Sequence, residues 1–259
     1  MNISLQTPNF LNNYKTTPRK APSFGIKMEP GDYHFEYKRN PCHNGLSSDE
    51  FIISRLIHYF PNSKGVKVLD IGAGQGRNAV SVAEEGYVIT ALEINPLGQE
   101  QCKRSAERKG VKHKLDFSCA NILDDWEQDE KYDFAFMANV AQHLNSEELE
   151  KTLANVNKCL KPDGALVFDA LTLKGKKEKI FKNYHDWAGI TDRRKIETNG
   201  SSYFKDNEEI SGIAAKNGFK LIEVAPYKEV LKLRPPWVSA WQKTFDQHNW
   251  YVLKKIKPA

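Results

Sequence analysis

The stretch Val66-Lys67-Val68-Leu69-Asp70-Ile71-Gly72-Ala73-Gly74-Gln75-Gly76-Arg77-Asn78 constrains this chain more than any other. It is an apolar strand that breaks into glycines and then opens a helix. Val66, Val68 and the Leu69/Ile71 pair read as a buried parallel strand. Three glycines at a spacing of two predict a loop whose backbone approaches a ligand that any Cβ would push away. The helix expected from Asn78 to Glu85 points its N-terminus at the same spot, where partial positive charge and free N–H groups gather. The break is therefore the expected place for a nucleotide-like ligand.

Two classes of ligand use such a turn, and the residues separate them. The dinucleotide fingerprint needs its third glycine three residues after the second, and Arg77 stands there instead. Asp70, two residues before the first glycine, would sit badly beside two phosphate charges and suits a cationic ligand better. S-adenosylmethionine is such a ligand, with an ammonium and a sulfonium, and Asp70-x-Gly72-x-Gly74-x-Gly76 resembles the first motif of the class I S-adenosylmethionine-dependent methyltransferases. The run Tyr87-Val88-Ile89-Thr90-Ala91-Leu92 reads as the next strand and ends in Glu93, at about the spacing a βαβ unit imposes between loop and ribose. Glu93 is expected to accept both ribose hydroxyls, each charge-assisted bond contributing ~1.5–3 kcal/mol. A solvated carboxylate at a strand end is the bland alternative. Ile94 would offer an apolar face to the adenine.

The resemblance continues through the following strands. It implies that the end of the third strand, within Lys114 to Ile122, holds adenine, with Asn121 where the family has an Asp and Ile122 beside it; the amide oxygen of Asn121 can accept the same hydrogen bond. The fourth strand, Tyr132 to Met137, runs into Ala138-Asn139-Val140-Ala141-Gln142-His143 and an acidic helix from Ser146. By resemblance Met137 borders the cofactor, Asn139 the substrate, and His143 the methyl group. His143 is the candidate catalytic base; the alternative is a structural histidine that caps the following helix. Lys161-Pro162-Asp163-Gly164 reads as a turn into a fifth strand, Ala165 to Asp169, and is also typical of the family. With Ala73, Gly74, Gly76 and Asn78 completing the cofactor loop, the likeness runs from about Val66 to Asp169 and looks most like the branch of tellurite-resistance and related small-molecule methyltransferases.

The fold so implied is α/β, a doubly wound Rossmann-like sheet of seven strands, mostly parallel with an antiparallel last strand, plus an N-terminal helical lid. Phe219 to Val224 and Trp250 to Leu253 read as the sixth and seventh strands, and Glu208 to Asn217 as the helix between fifth and sixth. Residues 1–47 are expected as an extension and lid, with Tyr33 and Tyr37 as contacts to substrate or as plain aromatic packing; residues 48–259 form the methyltransferase domain. Its helix from about Ser48 to Tyr59 should bury Phe51, Ile52, Leu56 and Tyr59. Trp237, in an aromatic insert with Trp241, is a further candidate substrate wall, with packing under a long loop as the somewhat favoured alternative.

Composition bounds the function. At 259 residues the chain would bury roughly three-quarters of its unfolded surface. There is no apolar start of the signal-peptide type and no run of about 18 apolar residues, which argues against secretion and membrane spanning. Cys42, Cys102, Cys119 and Cys159 form no C-x-x-C pair, which argues against zinc and points to a reducing cytoplasm. No metal is expected. A net charge of +5 in short, separate basic runs disfavours nucleic acid as substrate. The expected activity is methyl transfer from S-adenosylmethionine to a small-molecule nucleophile. A peptide or protein acceptor and a non-catalytic S-adenosylmethionine-binding module are the alternatives, and a nicotinamide oxidoreductase is disfavoured by Arg77.

Overall fold

The computed structural model describes residues 50–126, 130–172, 195–197, 201–203, 205–226 and 248–257. The expected lid with Tyr33 and Tyr37, and the aromatic insert with Trp237, lie outside these residues.

β-branched and aromatic runs form the strands of the main sheet, and the order in which they pair follows from the short right-handed crossovers between them. β1 (Lys67–Ile71) lies between β2 (Val88–Leu92) and β4 (Tyr132–Met137), with β3 (Leu115–Ser118) outside β2 and β5 (Leu160–Leu171) outside β4. All five are parallel to one another. A small antiparallel pair, β6 (Lys195–Glu197) and β7 (Ser201–Tyr203), precedes β8 (Phe219–Pro226) and β9 (His248–Lys255). β9 inserts antiparallel between β5 and β8, giving seven strands in the order β3-β2-β1-β4-β5-β9-β8. The expected antiparallel last strand is therefore present. The chain reverses direction across the sheet between β1 and β4, and in such sheets ligands bind outside the carboxyl ends of the strands at that point.

Alternation along the strands sorts the core onto two faces. Leu69, Ile71, Met137, Leu166 and Phe168 pack on α4 (Ser146–Cys159) and α5 (Asn207–Lys216). Val68, Phe134, Phe136, Val167 and Val252 pack on α1 (Glu50–Tyr59), α2 (Arg77–Glu84) and α3 (Pro96–Arg108). Each large apolar side chain so enclosed contributes about 1.5–3 kcal/mol. Helix α1 buries Phe51, Ile52 and Leu56, as its spacing predicts, while Tyr59 is only half-buried. Its first turn stacks Phe51 on Trp250 of β9 (5.3 Å between centroids), and Arg55 forms a two-pronged ion pair with Glu223 of β8.

Two elements differ from expectation. Lys161-Pro162-Asp163-Gly164 is a bulge inside β5, not a turn before it: Leu160 already pairs with Tyr132, and pairing resumes at Ala165 opposite Phe134. Asp163 takes the left-handed conformation there, with φ 65°. β3 stops at Ser118 instead of running to Ile122, and beyond it the side chain of Asn121 accepts from Leu123 N–H (2.9 Å) in a turn.

Helix α4 starts with a reciprocal cap. Asn145 Oδ1 accepts from Glu148 N–H at 2.9 Å, and Glu148 Oε2 accepts from Asn145 N–H at 2.8 Å. Asn145→Ala is expected to cost about 1 kcal/mol, a fall of roughly 2–4 °C in Tm by calorimetry. An unchanged Tm would show that water replaces the cap.

Candidate functional site

The loop after β1 is shaped mostly by the protein's own packing. Leu92 O accepts from Gly72 N–H and Ala73 N–H, both at 2.9 Å, which ties the loop to the end of β2. Gly72 has φ 76°, and a Cβ there would lie 2.5 Å from Val140 Cγ2; Gly76 has φ 82°, and a Cβ would lie 2.3 Å from Cys102 Sγ. The turn after β4 and helix α3 thus each leave room for nothing larger than glycine at these two positions. Cys102, which lies against Gly76, is a buried thiol. Burial, reinforced by the carboxylates of Asp70 and Glu93, pushes its pKa up to about 12.

Glu93 is the hub of the loop. It is 4% exposed, its Oε2 accepts from Gly74 N–H at 2.8 Å and its Oε1 from Asn95 N–H at 2.7 Å. Asn95 in turn caps α3 by accepting from Leu97 N–H at 2.9 Å, with Pro96 in the first turn. Both carboxylate oxygens are thus turned toward the loop and the cap of α3, at the carboxyl end of β2.

Asp70 is 2% exposed, and its Oδ2 has no hydrogen-bond partner. The N–H of Ala79, in the first turn of α2, bonds to the carboxyl. Burial, and then the nearby charge of Glu93, hold its pKa well above the usual carboxylate range, against smaller opposing effects of Arg77 and of that N–H. Leaving a buried carboxylate oxygen unpaired costs more than the ~1–3 kcal/mol of an unmet neutral group. An ammonium or sulfonium beside it would remove that cost, so the residues fit a cationic ligand.

The remaining expected cofactor residues fall in two groups. Ile94 and Asn121 are half-buried and Asn78 and Ile122 buried, Ile94 following β2 and Asn121 following β3 at their carboxyl ends. Asn121 spends one lone pair of its amide oxygen on Leu123 N–H. Met137, by contrast, is fully enclosed in the core between the sheet and α4 and presents no surface to a ligand.

On the other side of β1, Asn139 follows β4 in the left-handed conformation, with φ 59°. Its N–H donates to Asp169 Oδ1 at 2.6 Å, and Asp169 Oδ2 bonds to Nδ1 of His248 at 2.9 Å. His143 lies in a short 3-10 turn, Ala141–His143, half-buried, with Nε2 3.3 Å from the Gln142 amide nitrogen. It does not cap α4, since Asn145 does. Lys205, buried, holds the same turn from below by donating Nζ to the carbonyls of Ala141 (3.2 Å) and Leu144.

The contacts of Asp169, His248 and Lys205 beneath this turn were not legible in the sequence. Asp169 carried one usable signal: like Asp70, it is a carboxylate near the carboxyl end of an apolar strand. His248 and Lys205 carried none.

A profile of the methyltransferase domain family matches residues 48–224. The chain belongs to this family. A ubiquinone biosynthesis O-methyltransferase of Rickettsia felis is 22% identical over 188 residues, covering 66% of this chain and 75% of that protein. A SAM-dependent methyltransferase from Methanosarcina mazei superposes with a TM-score of 0.63 at 18% identity, covering 78% of this chain and 98% of that one. The [4+2]-cyclase SpnF superposes equally well, with a TM-score of 0.63 at 16% identity over 88% of this chain and 94% of that one. At such identities the two structures show the fold alone: the S-adenosylmethionine-dependent methyltransferase fold.

Proposed function

We propose that this chain binds S-adenosylmethionine along the carboxyl edge from β3 to β4 and transfers its methyl group to a small-molecule nucleophile. The observation that carries the reading is Asp70, a buried carboxylate with an unpartnered oxygen at the head of a glycine loop. That charge opposes a pyrophosphate and favours a cation. Glu93 takes the ribose hydroxyls, Ile94 and Ile122 flank the adenine, and Asn121 accepts from its amine. Asp70 faces the cationic methionine part, with the backbone of Ala73 and Gly74 beside it. Met137 is left out of this surface because it is enclosed.

When bound, the cofactor supplies an electrophilic methyl carbon on a sulfonium. The protein's task is alignment, which can supply ~7–11 kcal/mol. Asn139 and His143 stand on the turn after β4, beyond the cofactor loop, where an acceptor has to lie. A small-molecule acceptor is supported by the name of the Rickettsia felis relative, an O-methyltransferase of ubiquinone biosynthesis.

Calorimetric titration with S-adenosylmethionine and with NADH, followed by tritiated-methyl transfer to a cell extract split into small molecules, RNA and protein, tests this. S-adenosylmethionine alone should bind, and label should enter the small-molecule fraction. Binding of NADH alone would sink the cofactor assignment, and label in the protein fraction would replace the acceptor. Binding without any label would leave a binding module or, as the shared fold of a cyclase illustrates, a different reaction.

A further inference from the structure

We infer that Asp70 holds a proton in the ligand-free protein and releases it to solvent when the cationic part of S-adenosylmethionine binds, so that the cofactor enters in exchange for a proton; this rests on the cofactor reading above.

Two buried carboxyls share one corner of the sheet. Asp70 on β1 pairs with Ala91 of β2, and Glu93 stands two residues beyond Ala91, with its N–H still bonded to Ser118 O of β3 at 3.0 Å. The two groups are thus neighbours on adjacent strands, 2% and 4% exposed, and like charges so placed oppose each other.

Backbone donors decide which of the two stays ionised. Glu93 accepts an N–H on each oxygen, from Gly74 and from Asn95. The carboxyl of Asp70 accepts one, from Ala79, and its Oδ2 has no partner. Each accepted N–H stabilises a carboxylate, so Glu93 keeps the charge. The bare Oδ2 of Asp70 is where a hydrogen belongs, since a buried hydroxyl without a partner costs less than a buried anionic oxygen without one.

The surroundings of Asp70 leave this cost in place. Glu93 after β2, Arg77 at the start of α2 and the Cys102 thiol of α3 face it, and β4 sets the apolar Phe136 beside it in register. The thiol, with its pKa pushed up to about 12, brings no charge. Arg77 offsets less than burial and Glu93 impose, so the carboxyl is held well above the usual range.

A bound ammonium or sulfonium reverses the balance. Its positive charge against Oδ2 favours the ionised form, and the hydrogen leaves as a proton taken up by the buffer. One positive charge replaces another beside Glu93, so the buried corner never holds two anions without a cation. Proton release on binding makes affinity rise with pH, by up to ~10-fold per pH unit below the ligand-free pKa of Asp70. Above about pH 8 an α-ammonium loses its own proton, and affinity should fall again. Acidification therefore unloads the site, and cofactor occupancy responds to pH.

Calorimetric titration of the full chain with S-adenosylmethionine, in two buffers of different ionisation enthalpy, counts the protons released, and carbon-13 NMR of the aspartate carboxyls follows Asp70 itself. At about pH 5.5 the carbon of Asp70 should stand at the protonated position and move to the ionised one when the cofactor is added, with up to about one proton released. Affinity should weaken by roughly 3- to 100-fold between about pH 7 and about pH 5. Asp70→Asn, which has no proton to give, should release none and keep a flat affinity over this range, so that its deficit against wild type shrinks as pH falls. An ionised Asp70 in the ligand-free protein at the lower pH, a wild type that releases no proton, or an equal release from Asp70→Asn would overturn the exchange. Failure of S-adenosylmethionine to bind at any of these pH values would instead overturn the parent reading.

Discussion

Asp70→Asn is expected to make the ligand-free protein more stable while weakening S-adenosylmethionine by roughly 10- to 150-fold. The two effects have one cause. The folded-state pKa of Asp70 lies well above the ordinary value of 3.8, chiefly through burial and next through Glu93. A carboxyl raised in this way contributes fully below its unfolded pKa, and the contribution is lost as pH rises through the folded pKa. At neutral pH the wild type therefore carries the cost of the buried acid that asparagine removes, while the asparagine oxygen still accepts from Ala79 N–H. A gain of about 1 kcal/mol would raise Tm by roughly 2–4 °C, and the gain should shrink as pH falls toward 4. Binding should move the other way, since a charge-assisted contact of ~1.5–3 kcal/mol to the cation is lost. Melting curves between pH 4 and 8 and calorimetry on the same preparation check both. A less stable variant with unchanged affinity would show that Asp70 serves only as the acceptor for the first turn of α2.

The same residue illustrates what the amino-acid sequence made legible. Asp70, the glycine loop and Glu93 lie within one βαβ unit, where spacing along the chain sets spacing in the fold, and all three sit at the carboxyl ends of β1 and β2. The apolar runs that became β1, β2, β4 and β9 were readable because a buried strand needs little beyond continuous hydrophobicity. What could not be read depends on contacts between distant residues. The reason for glycine at 72 lies in Val140, and at 76 in Cys102. Asp169 and His248 are 79 residues apart and meet only because β9 inserts between β5 and β8. Met137 looked like a cofactor neighbour from its place at the end of β4, but strand alternation turns its side chain to the α4 face. His143 competed with Asn145 for the start of α4, and the shorter amide won because it reaches the third N–H of its own helix.

Glu93→Ala should have the largest effect on cofactor affinity, a loss of ~2–4 kcal/mol or roughly 30- to 700-fold. Part of this arises before any ligand is considered. Removing the carboxylate strands the N–H groups of Gly74 and Asn95, which sit on the loop and at the cap of α3. Each unmet donor costs ~1–3 kcal/mol, less whatever water restores, so stability should fall by about 2–4 kcal/mol. Glu93→Gln is expected to be nearly as harmful, because the amide NH₂ would face one of the two backbone donors and meet it as a second donor. The ribose share can be isolated by a double-mutant cycle between Glu93→Ala and a 2′,3′-dideoxy analogue of S-adenosylhomocysteine. If Glu93 accepts from the ribose hydroxyls, the substitution should weaken the analogue by at least tenfold less than it weakens the parent compound. Equal weakening of the two, together with the fall in Tm, would make Glu93 an anchor for the glycine loop and nothing more, and the ribose would have to be held by another group at the ends of β2 and β3.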